Sequence, residues 1–410
     1  MKQVKIGEAF SSIRNGATIQ QDKVVDGTPI TRIETIADGT VDLNRLGYAS
    51  VQGENFKDFY LQEGDILMSH INSVAHLGKV AIFENRNEKI IHGMNLLCLK
   101  TNPEKLLPKY AFYYLKSLRF RSSIKKITKK SVNQASFNIS NLKELEIPLP
   151  SHFDQIQIAN ILSKAETLIE QRKQSIALLD EFLKSSFLEM FYTNPETENW
   201  NEVKFEELAA KKKGSMRTGP FGSSLLHGEF TESGDVKVLG IDNVVTNRFD
   251  WKRSRCITFE KFQELKRYQV YPNDVLISIM ATLGRTAVVP KDIPICINSK
   301  HLAAITLDRE IANPYFVAFA FHSHPLIVRQ MSNNVKGAIM DGLNLTIIRR
   351  IKLKLPPVEL QNKFGETFEK TEALKTQYQQ SLLELENLYG SLSQQAFKGE
   401  LEIKKQVALQ

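Results

Sequence analysis

The stretch Ile147-Pro148-Leu149-Pro150 returns 206 residues later (147 to 353) as Leu353-Lys354-Leu355-Pro356. The same offset relates Phe137-Asn138-Ile139-Ser140 to Leu343-Asn344-Leu345-Thr346, and it carries Gly78 to Gly284, Pro108 to Pro314, Gln155 to Gln361 and Phe191 to Phe397. Self-similarity at a fixed distance along a chain indicates an internal repeat. The 410-residue sequence therefore predicts two half-units of about 200 residues each.

The character of the chain changes after each proline-containing stretch. Before them, short apolar runs such as Val80–Phe83 and Val275–Ile279 alternate with Gly, Asn and Asp turns, which predicts mixed α and β domains. After them, residues 156–193 and 358–410 contain no proline, and apolar residues recur every three or four positions. We predict an α+β fold with mixed α/β domains at 1–150 and 200–357, and long coiled-coil helices within 151–199 and 358–410.

The apolar stripe on each long helix predicts which residues lie in the seam between them. Side chains spaced three or four positions apart share one face of a helix, and such faces pair in coiled coils. We expect the polar faces and the helix ends to dock partners. The predicted seam residues are Leu162, Leu168, Ile176, Leu179, Leu183, Phe368, Leu374, Leu382, Leu385 and Leu388.

Charge is distributed unevenly between the two kinds of segment. The chain carries a formal net charge of +8. Residues 1–150 contain 21 basic and 15 acidic residues, and residues 200–357 contain 23 and 15. The helical segments are acidic, with 4 basic and 8 acidic residues in 151–199 and 6 and 8 in 358–410. A polyanionic partner is therefore expected on the globular domains, and protein partners on the helices.

Other features narrow the class of protein. The three cysteines form no CxxC pair, and no long apolar run of membrane-spanning length occurs, so we expect a soluble cytoplasmic protein without disulfides or structural zinc. No GxxxxGK[ST] loop, GxGxxG fingerprint or HExxH motif is present. Asn313-Pro314-Tyr315-Phe316 lacks the second proline of an adenine-methyltransferase motif and predicts a helix start instead. His322 and His324 are expected to be surface residues, and we predict no catalytic residue and no metal site.

The junctions carry a family resemblance. Residues 147–155 and 355–361 open the two helices, and 184–191 and 393–401 close them with Lys-Ser-Ser-Phe-Leu-Glu-Met-Phe and Ser-Gln-Gln-Ala-Phe-Lys-Gly-Glu-Leu. Together with the alternation of domains and helices, they resemble the specificity subunit of type I restriction-modification enzymes. The resemblance covers essentially the whole chain, is strong at the junctions, and is weak within the globular domains.

The resemblance implies a fold and a function. Two target recognition domains would be held apart by an antiparallel pair of helices with pseudo-twofold symmetry. The subunit would read a bipartite sequence in double-stranded DNA. It would position two methyltransferase (M) subunits and the restriction/translocase (R) subunits for adenine methylation or ATP-dependent cleavage. S-adenosylmethionine, ATP and Mg would be bound by those partners only.

Loops that combine basic, hydroxyl, amide and glycine residues are the candidate DNA contacts, because base edges are read by such side chains while cations bind phosphates. The richest is Lys211–Ser224, and a solvated turn is its alternative interpretation. Its candidate residues are Lys212, Ser215, Arg217, Phe221 and Ser223.

Three further regions fit the same description, with a plain surface loop or turn as the alternative. One is duplicated, at Lys125–Gln134 and Ser332–Gly337, and a second pairs His70–Lys79 with Met280–Arg285. The third is Asn298–His301. Their candidate residues are Lys79, Lys129, Lys130, Ser131, Gln134, Arg285, Lys300 and Lys336.

Two rival functions remain open from the sequence. One is a single-chain methyltransferase or nuclease with its own recognition domains, which predicts that the purified chain binds S-adenosylmethionine. The other is a coiled-coil adaptor that contacts no DNA, which predicts no salt-dependent DNA binding by the assembled complex.

Overall fold

A computed structural model describes residues 1–19, 21–22, 27–36, 39–49, 54–84, 88–132, 134–335 and 342–402. Its contacts group the chain into two compact units: residues 1–173 with 380 onward, and residues 174–379. The division differs from the four segments expected from sequence (1–150, 151–199, 200–357 and 358–410). Each long helix is shared between the units, because its two ends are built into different cores.

The first unit is built on a four-stranded antiparallel sheet of order β2-β9-β6-β8, with smaller sheets β3-β5-β4, β10-β11-β7 and β1-β12. Its strands are β1 Lys2–Lys5, β2 Phe10–Asn15, β3 Gln21–Asp22, β4 Thr28–Ile30, β5 Gly47–Ala49, β6 Ile66–Ser69, β7 Ile71–Asn72, β8 Val80–Ile82, β9 Leu96–Thr101, β10 Lys129–Lys130, β11 Ala135–Ser136 and β12 Glu146–Leu149. Its helices are α1 Ile6–Ala9, α2 Pro108–Lys116, α3 Leu118–Ile127, α4 Ile139–Glu144 and the first part of α5 His152–Phe191.

The second unit repeats the main sheet in the order β14-β21-β18-β19 and adds a mixed sheet, β16-β15-β20-β17, and the pair β13-β22. Its strands are β13 Glu202–Lys204, β14 Met216–Thr218, β15 Val236–Leu239, β16 Cys256–Ile257, β17 Gln269–Val270, β18 Val275–Ser278, β19 Thr286–Val288, β20 Cys296–Asn298, β21 Leu302–Ile305 and β22 Lys352–Lys354. Its helices are α6 Phe259–Leu265, α7 Pro314–Ser323, α8 Pro325–Val335, α9 Leu345–Arg350 and the first part of α10 Val358–Lys398.

The internal repeat predicted from sequence is confirmed by local geometry. Helices α2 and α7 both begin at a proline, and Asn313 caps α7 by accepting the Tyr315 N–H at 2.9 Å. This confirms that Asn313-Pro314 is a helix start. Gly78 and Gly284 both have φ of +73°, a left-handed conformation that favours glycine.

A buried glutamine joins each domain to the helix that follows it. The Gln155 Oε1 atom accepts the Leu107 N–H at 2.8 Å, and its Nε2 donates to the carbonyls of Lys105 and Pro150 at 2.8 and 3.1 Å. Gln361 repeats this pattern, accepting from Asn313 at 2.9 Å and donating to Ile311 and Pro356 at 3.0 and 2.9 Å. Both glutamines are fully buried. They satisfy backbone groups that would otherwise be unpaired in the core.

An aromatic side chain near the C-terminal end of each long helix packs in the core of the domain of its own unit. Phe397 near the end of α10 lies edge-on to Tyr110 and Tyr114 in the first unit, with ring centroids 5.7 and 5.3 Å apart. Phe191 at the end of α5 packs on Phe316 at 4.7 Å in the second unit. Within each unit the segments of α5 and α10 therefore run antiparallel, with the start of one helix and the end of the other packed in the same core.

The predicted helix seam is only partly correct. Leu162 and Leu183 are buried, whereas Leu168, Leu374 and Leu388 are 50%, 36% and 51% exposed and do not lie in a closed seam. The other predicted positions are half-buried: Ile176, Leu179, Phe368, Leu382 and Leu385. An ideal helix has 3.6 residues per turn and not 3.5, so residues that repeat every seven positions rotate gradually around the helix. Over a long helix, part of the apolar stripe therefore no longer faces the neighbouring helix. Polar residues take some of the buried positions, namely Thr371, Lys375 and Ser393.

In the parts of the chain that the structure describes, none of the helices combines the length and hydropathy that a membrane span needs. Cys98, Cys256 and Cys296 are buried free thiols.

Candidate nucleic-acid interface

Two of the predicted DNA-contacting regions lie side by side in the first unit. Strand β11 pairs antiparallel with β10 on one side and with β7 on the other. The exposed residues Lys129 and Lys130 thereby lie in the same three-stranded sheet as Ile71 and Asn72, with which the segment that runs to Lys79 begins. Sheet pairing brings together cations and turn residues that are far apart in the sequence.

The tip of the β10–β11 hairpin is closed by its own hydrogen bonds. The Ser131 N–H and Oγ–H both donate to the Gln134 carbonyl, at 2.8 and 3.0 Å. The Gln134 side chain remains exposed, as do the two lysines that precede the tip. Ser131 therefore serves the turn, while the lysines and Gln134 are available to a ligand.

A groove of about 390 Å³ lies beside this hairpin. Asn15, His70, Lys129 and Asn141 line it. Amide and imidazole groups suit base edges, and an ammonium suits phosphate. The His70 Nδ1 atom is buried without a hydrogen-bond partner, and burial lowers the pKa of this imidazole.

Tight turns present a basic residue at equivalent positions in the two units. In the first, Gly78 N–H donates to the Ser69 carbonyl at 2.8 Å, and Lys79 follows, half-buried. In the second, Gly284 N–H donates to the Ser278 carbonyl at 3.0 Å, and the exposed Arg285 follows. These two predicted contacts occupy matching places at the edge of the repeated sheet.

Arg217 was expected to contact DNA, and the structure contradicts this. The side chain is 7% exposed and forms an ion pair with the fully buried Asp274. Its Nε donates to the Gln269 carbonyl at 2.7 Å, and its Nη1 donates to Thr306 Oγ1 at 3.0 Å and to the Gly214 carbonyl at 3.1 Å. Every guanidinium nitrogen thus has an internal partner, because strand β14 directs this side chain into the fold.

The first unit repeats part of this sequence. Arg14-Asn15-Gly16, at the end of β2, matches Arg217-Thr218-Gly219 at an offset of 203 residues (14 to 217). A Cβ on Gly16 would lie 2.1 Å from the Gly93 carbonyl oxygen, and one on Gly219 would lie 2.2 Å from the Asn298 oxygen. The repeated glycine of Arg-x-Gly is therefore explained by close backbone packing.

Several other candidate residues of the Lys211–Ser224 segment lie at the surface. Lys212 is exposed, with its Nζ 5.1 Å from the Tyr271 ring centroid, and Phe221 is 48% exposed. Ser223 is exposed and Ser215 is half-buried. Because Gly219 packs on the backbone of Asn298 and Ser299, this loop lies next to the turn that carries the exposed Lys300.

The loop between β15 and β16 carries a basic, aromatic segment that sequence reasoning missed. Trp251 is 48% exposed, and Lys252 and Arg253 are exposed beside it. An aromatic ring next to two consecutive cations is typical of nucleic-acid contacts. The run Trp251-Lys252-Arg253 is visible in the sequence, but this segment lacks the glycine residues that characterise the other candidate loops.

Lys336, another predicted contact, lies outside the described residues.

His324, the C-terminal cap of α7, is not a surface residue, contrary to expectation, and His322 within α7 is half-buried. His324 is 5% exposed and lies edge-on to the Phe187 and Tyr192 rings. The His322 Nδ1 atom is 2.8 Å from Thr286 Oγ1 and 2.9 Å from the Ala318 carbonyl. Across the described ranges, no group of His, Cys, Asp and Glu side chains is arranged to hold a metal ion.

His322 is expected to contribute to a fall in stability in mild acid. Burial lowers its pKa to about 4, from an ordinary value of 6.5. The unfolded chain binds this proton near pH 6.5 and the folded chain does not, so the contribution of His322 is complete above that pH and is lost towards pH 4. Urea unfolding should show that the loss of stability between pH 7.5 and pH 5 is about 2 kcal/mol smaller in His322→Gln than in the parent. An equal pH dependence in parent and variant would contradict this.

Comparisons with known proteins agree with this geometry. The family model for the type I restriction modification DNA specificity domain matches residues 1–179 and 197–387. The putative type I restriction enzyme MjaX specificity subunit of Methanocaldococcus jannaschii is 32% identical over 376 residues, which cover 87% of this chain and 83% of that protein. The MjaVIII specificity subunit of the same organism is 23% identical, over 76% of this chain and 72% of its own.

Solved structures show the same fold. The S subunit of a type I restriction-modification system from M. genitalium has a TM-score of 0.58 at 18% identity, covering 98% of this chain and 96% of its own. A chain from a structural study of type I complex assembly and conformational transition has a TM-score of 0.59 at 14% identity, covering 98% of both chains.

Proposed function

The chain belongs to the type I restriction-modification DNA specificity family, and from this premise we propose that each of its two domains reads one half of a bipartite DNA target. Members of this family are non-catalytic DNA-recognition subunits, and this chain contains two target recognition domains. We further propose that the two long helices hold the enzymatic partners.

One observation carries the proposal. Each unit has a cation directly after a left-handed glycine, at the edge of its own four-stranded sheet. This cation is Lys79 in the first unit and Arg285 in the second. The other exposed candidate segments differ in sequence between the units: the first exposes Lys129 and Lys130 on the β10–β11 hairpin, and the second exposes Lys212 and the Trp251–Arg253 segment. A shared frame with different loops suits two domains that bind the same polymer but read different bases.

The helices are proposed to dock two M subunits, to which R subunits are added. Their segments are acidic in total, and they expose large apolar side chains away from the domains, including Leu168, Leu178, Phe182 and Leu388. Exposed apolar groups on an otherwise charged helix favour protein contact. S-adenosylmethionine, ATP and Mg would bind to those partners, which would act on chromosomal DNA in the cytoplasm. The target adenine would be flipped into an M subunit, because a stacked base cannot reach an active site.

The target is predicted to be split, with half-sites about one helical turn, ~34 Å, apart or slightly less. Methylation of a DNA panel by the assembled M–S complex measures this. A continuous recognition sequence, read by one domain, would contradict it.

The hairpin lysines are expected to contribute affinity without sequence preference. Changing Lys129 and Lys130 together to Ala should weaken binding of all sequences alike and lower the slope of log K against log salt by about two, since each phosphate contact contributes about one. Fluorescence anisotropy of the M–S complex over a salt series measures the slope. Lys109→Ala is the matched control, because this lysine pairs with Glu84 at 3.0 Å away from the hairpin. An unchanged slope in the double variant would remove the hairpin from the interface.

The rival functions make different predictions. An adaptor that contacts no DNA would show no salt-dependent binding in the same titration. A single-chain methyltransferase would bind and turn over S-adenosylmethionine as the purified chain, whereas we expect neither.

A further inference from the structure

Arg248 forms a charged cluster that ties the second recognition domain to both long helices. Its guanidinium bonds to Asp180 of α5 and to Glu372 of α10. Lys375 of α10 completes the cluster, with its Nζ 2.7 and 2.6 Å from the two carboxylate oxygens of Asp180. All four residues belong to the second unit.

The cluster is partly buried and balanced in charge. The Lys375 side chain is 8% exposed, and that of Arg248 is 30% exposed. Two cations face two carboxylates, so no charge is left without an opposite partner. Lysine is rarely buried unless paired, and a planar guanidinium can bind two carboxylates in a fixed geometry. The cluster therefore fixes the orientation of the Arg248 loop relative to the two helix segments, in addition to holding them in contact.

The backbone that carries Arg248 is itself held in place. Asn243 accepts the Gly240 N–H at 2.8 Å and donates to the Asp250 carbonyl at 2.7 Å, which closes the loop. Asn247 has a positive φ of 58°, and its Oδ1 accepts the Thr286 N–H of β19 at 3.3 Å. The repeated sheet is thus connected through this loop to Arg248 and from there to both helices.

The first unit has a different arrangement at the matching position. Glu372 corresponds to Glu166 at the repeat offset, and Glu166 pairs with Lys116 of α2. Lys375 corresponds to Ile169, and Asp180 corresponds to Glu386, which pairs with Lys173 of α5. Both carboxylates are therefore repeated. Among the described residues they pair with two separate lysines, Lys116 and Lys173, in the first unit, whereas Arg248 binds both in the second.

We propose that Arg248 is a positioning residue that holds the second domain in one orientation on its helix segments and so restricts the spacer length accepted between the two half-sites. The proposal rests on the bipartite function proposed above. Without the arginine, the domain would keep its fold and its base contacts but could tilt on the helices, and targets with a longer or shorter spacer would be accepted.

The test uses the assembled M–S complex and DNA in which the native spacer is lengthened or shortened by one base pair. For Arg248→Gln, we expect the ratio of off-spacer to native-spacer methylation to rise about tenfold. In the parent, an altered spacer misplaces the target adenine, and small misplacements cost large factors in rate. A domain that can tilt on the helices would reduce this misplacement. Arg248→Lys should lie between parent and Gln, since an ammonium cannot fork between two carboxylates. Arg255→Gln is the matched control: this arginine pairs with Asp242 of the same loop and not with a carboxylate of α5 or α10, so the parent ratio should persist.

A change confined to stability would lower methylation of every spacer alike and leave the ratio unchanged. An unchanged ratio in Arg248→Gln and Arg248→Lys overturns the proposal, and if the Gln variant fails to fold, the Lys variant decides. Failure of the proposed function is seen separately, as a parent complex that has no split target.

Discussion

Arg217→Ala is expected to lower the free energy of unfolding of the second unit by about 3–5 kcal/mol, because it leaves a buried carboxylate without its cation. Asp274 is fully buried and would keep only the Tyr271 N–H at 2.8 Å and the Thr306 hydroxyl at 2.6 Å. Urea unfolding of the purified chain measures the loss. DNA binding by protein that remains folded should keep the parent's sequence preference.

Two comparisons separate this structural role from DNA contact. Arg217→Met combined with Asp274→Leu removes both charges and should recover much of the stability lost in the single variant. Lys212→Ala should fold as the parent does, weaken binding of all sequences and lower the salt slope by about one. An Arg217→Ala protein of parental stability that misreads one base would show that this arginine faces DNA.

Gln361→Leu should have the second large effect, a loss of about 3–5 kcal/mol, since it strands three buried backbone groups that each cost about 1–3 kcal/mol unpaired. These groups are the Asn313 N–H and the carbonyls of Ile311 and Pro356. They join the domain to the start of α10. We therefore expect the variant to lose co-purification with the M subunit before it loses DNA binding.

The repeat supplies a matched pair for this experiment. Gln155→Leu should cause the same loss in the first unit, through Leu107, Lys105 and Pro150. Gln394→Leu, on the exposed side of α10, should change stability by less than about 0.5 kcal/mol. Equal stability of all three variants would mean that the glutamines do not hold the helices to the domains.

The repeat could be predicted from sequence because it constrains local structure. Pro108 and Pro314 mark helix starts, Gly78 and Gly284 need a left-handed backbone, and such requirements leave the same residue at the same offset. The long helices were recognisable for a similar reason, since they need apolar residues at helical spacing and tolerate no internal proline.

The parts that could not be predicted depend on contacts between distant residues. Arg217 sits in a loop-like sequence of glycine and lysine, and only the pairing of β14 with β21 places it near Asp274. Leu168 and Leu388 fit the apolar stripe but stay exposed, because one facing helix covers only a narrow side of its neighbour. The sequence around Lys375 does not indicate burial, and only the ion pair with Asp180 of α5 accounts for its 8% exposed side chain.

Genome-wide mapping of methylated adenines tests the central claim most directly, in cells that carry the parent system or a chimera in which residues 1–150 come from another specificity subunit. The account predicts a two-part motif for the parent and a change in only one part for the chimera. A continuous motif, or a chimera that changes both parts, would contradict the assignment of one half-site to each domain.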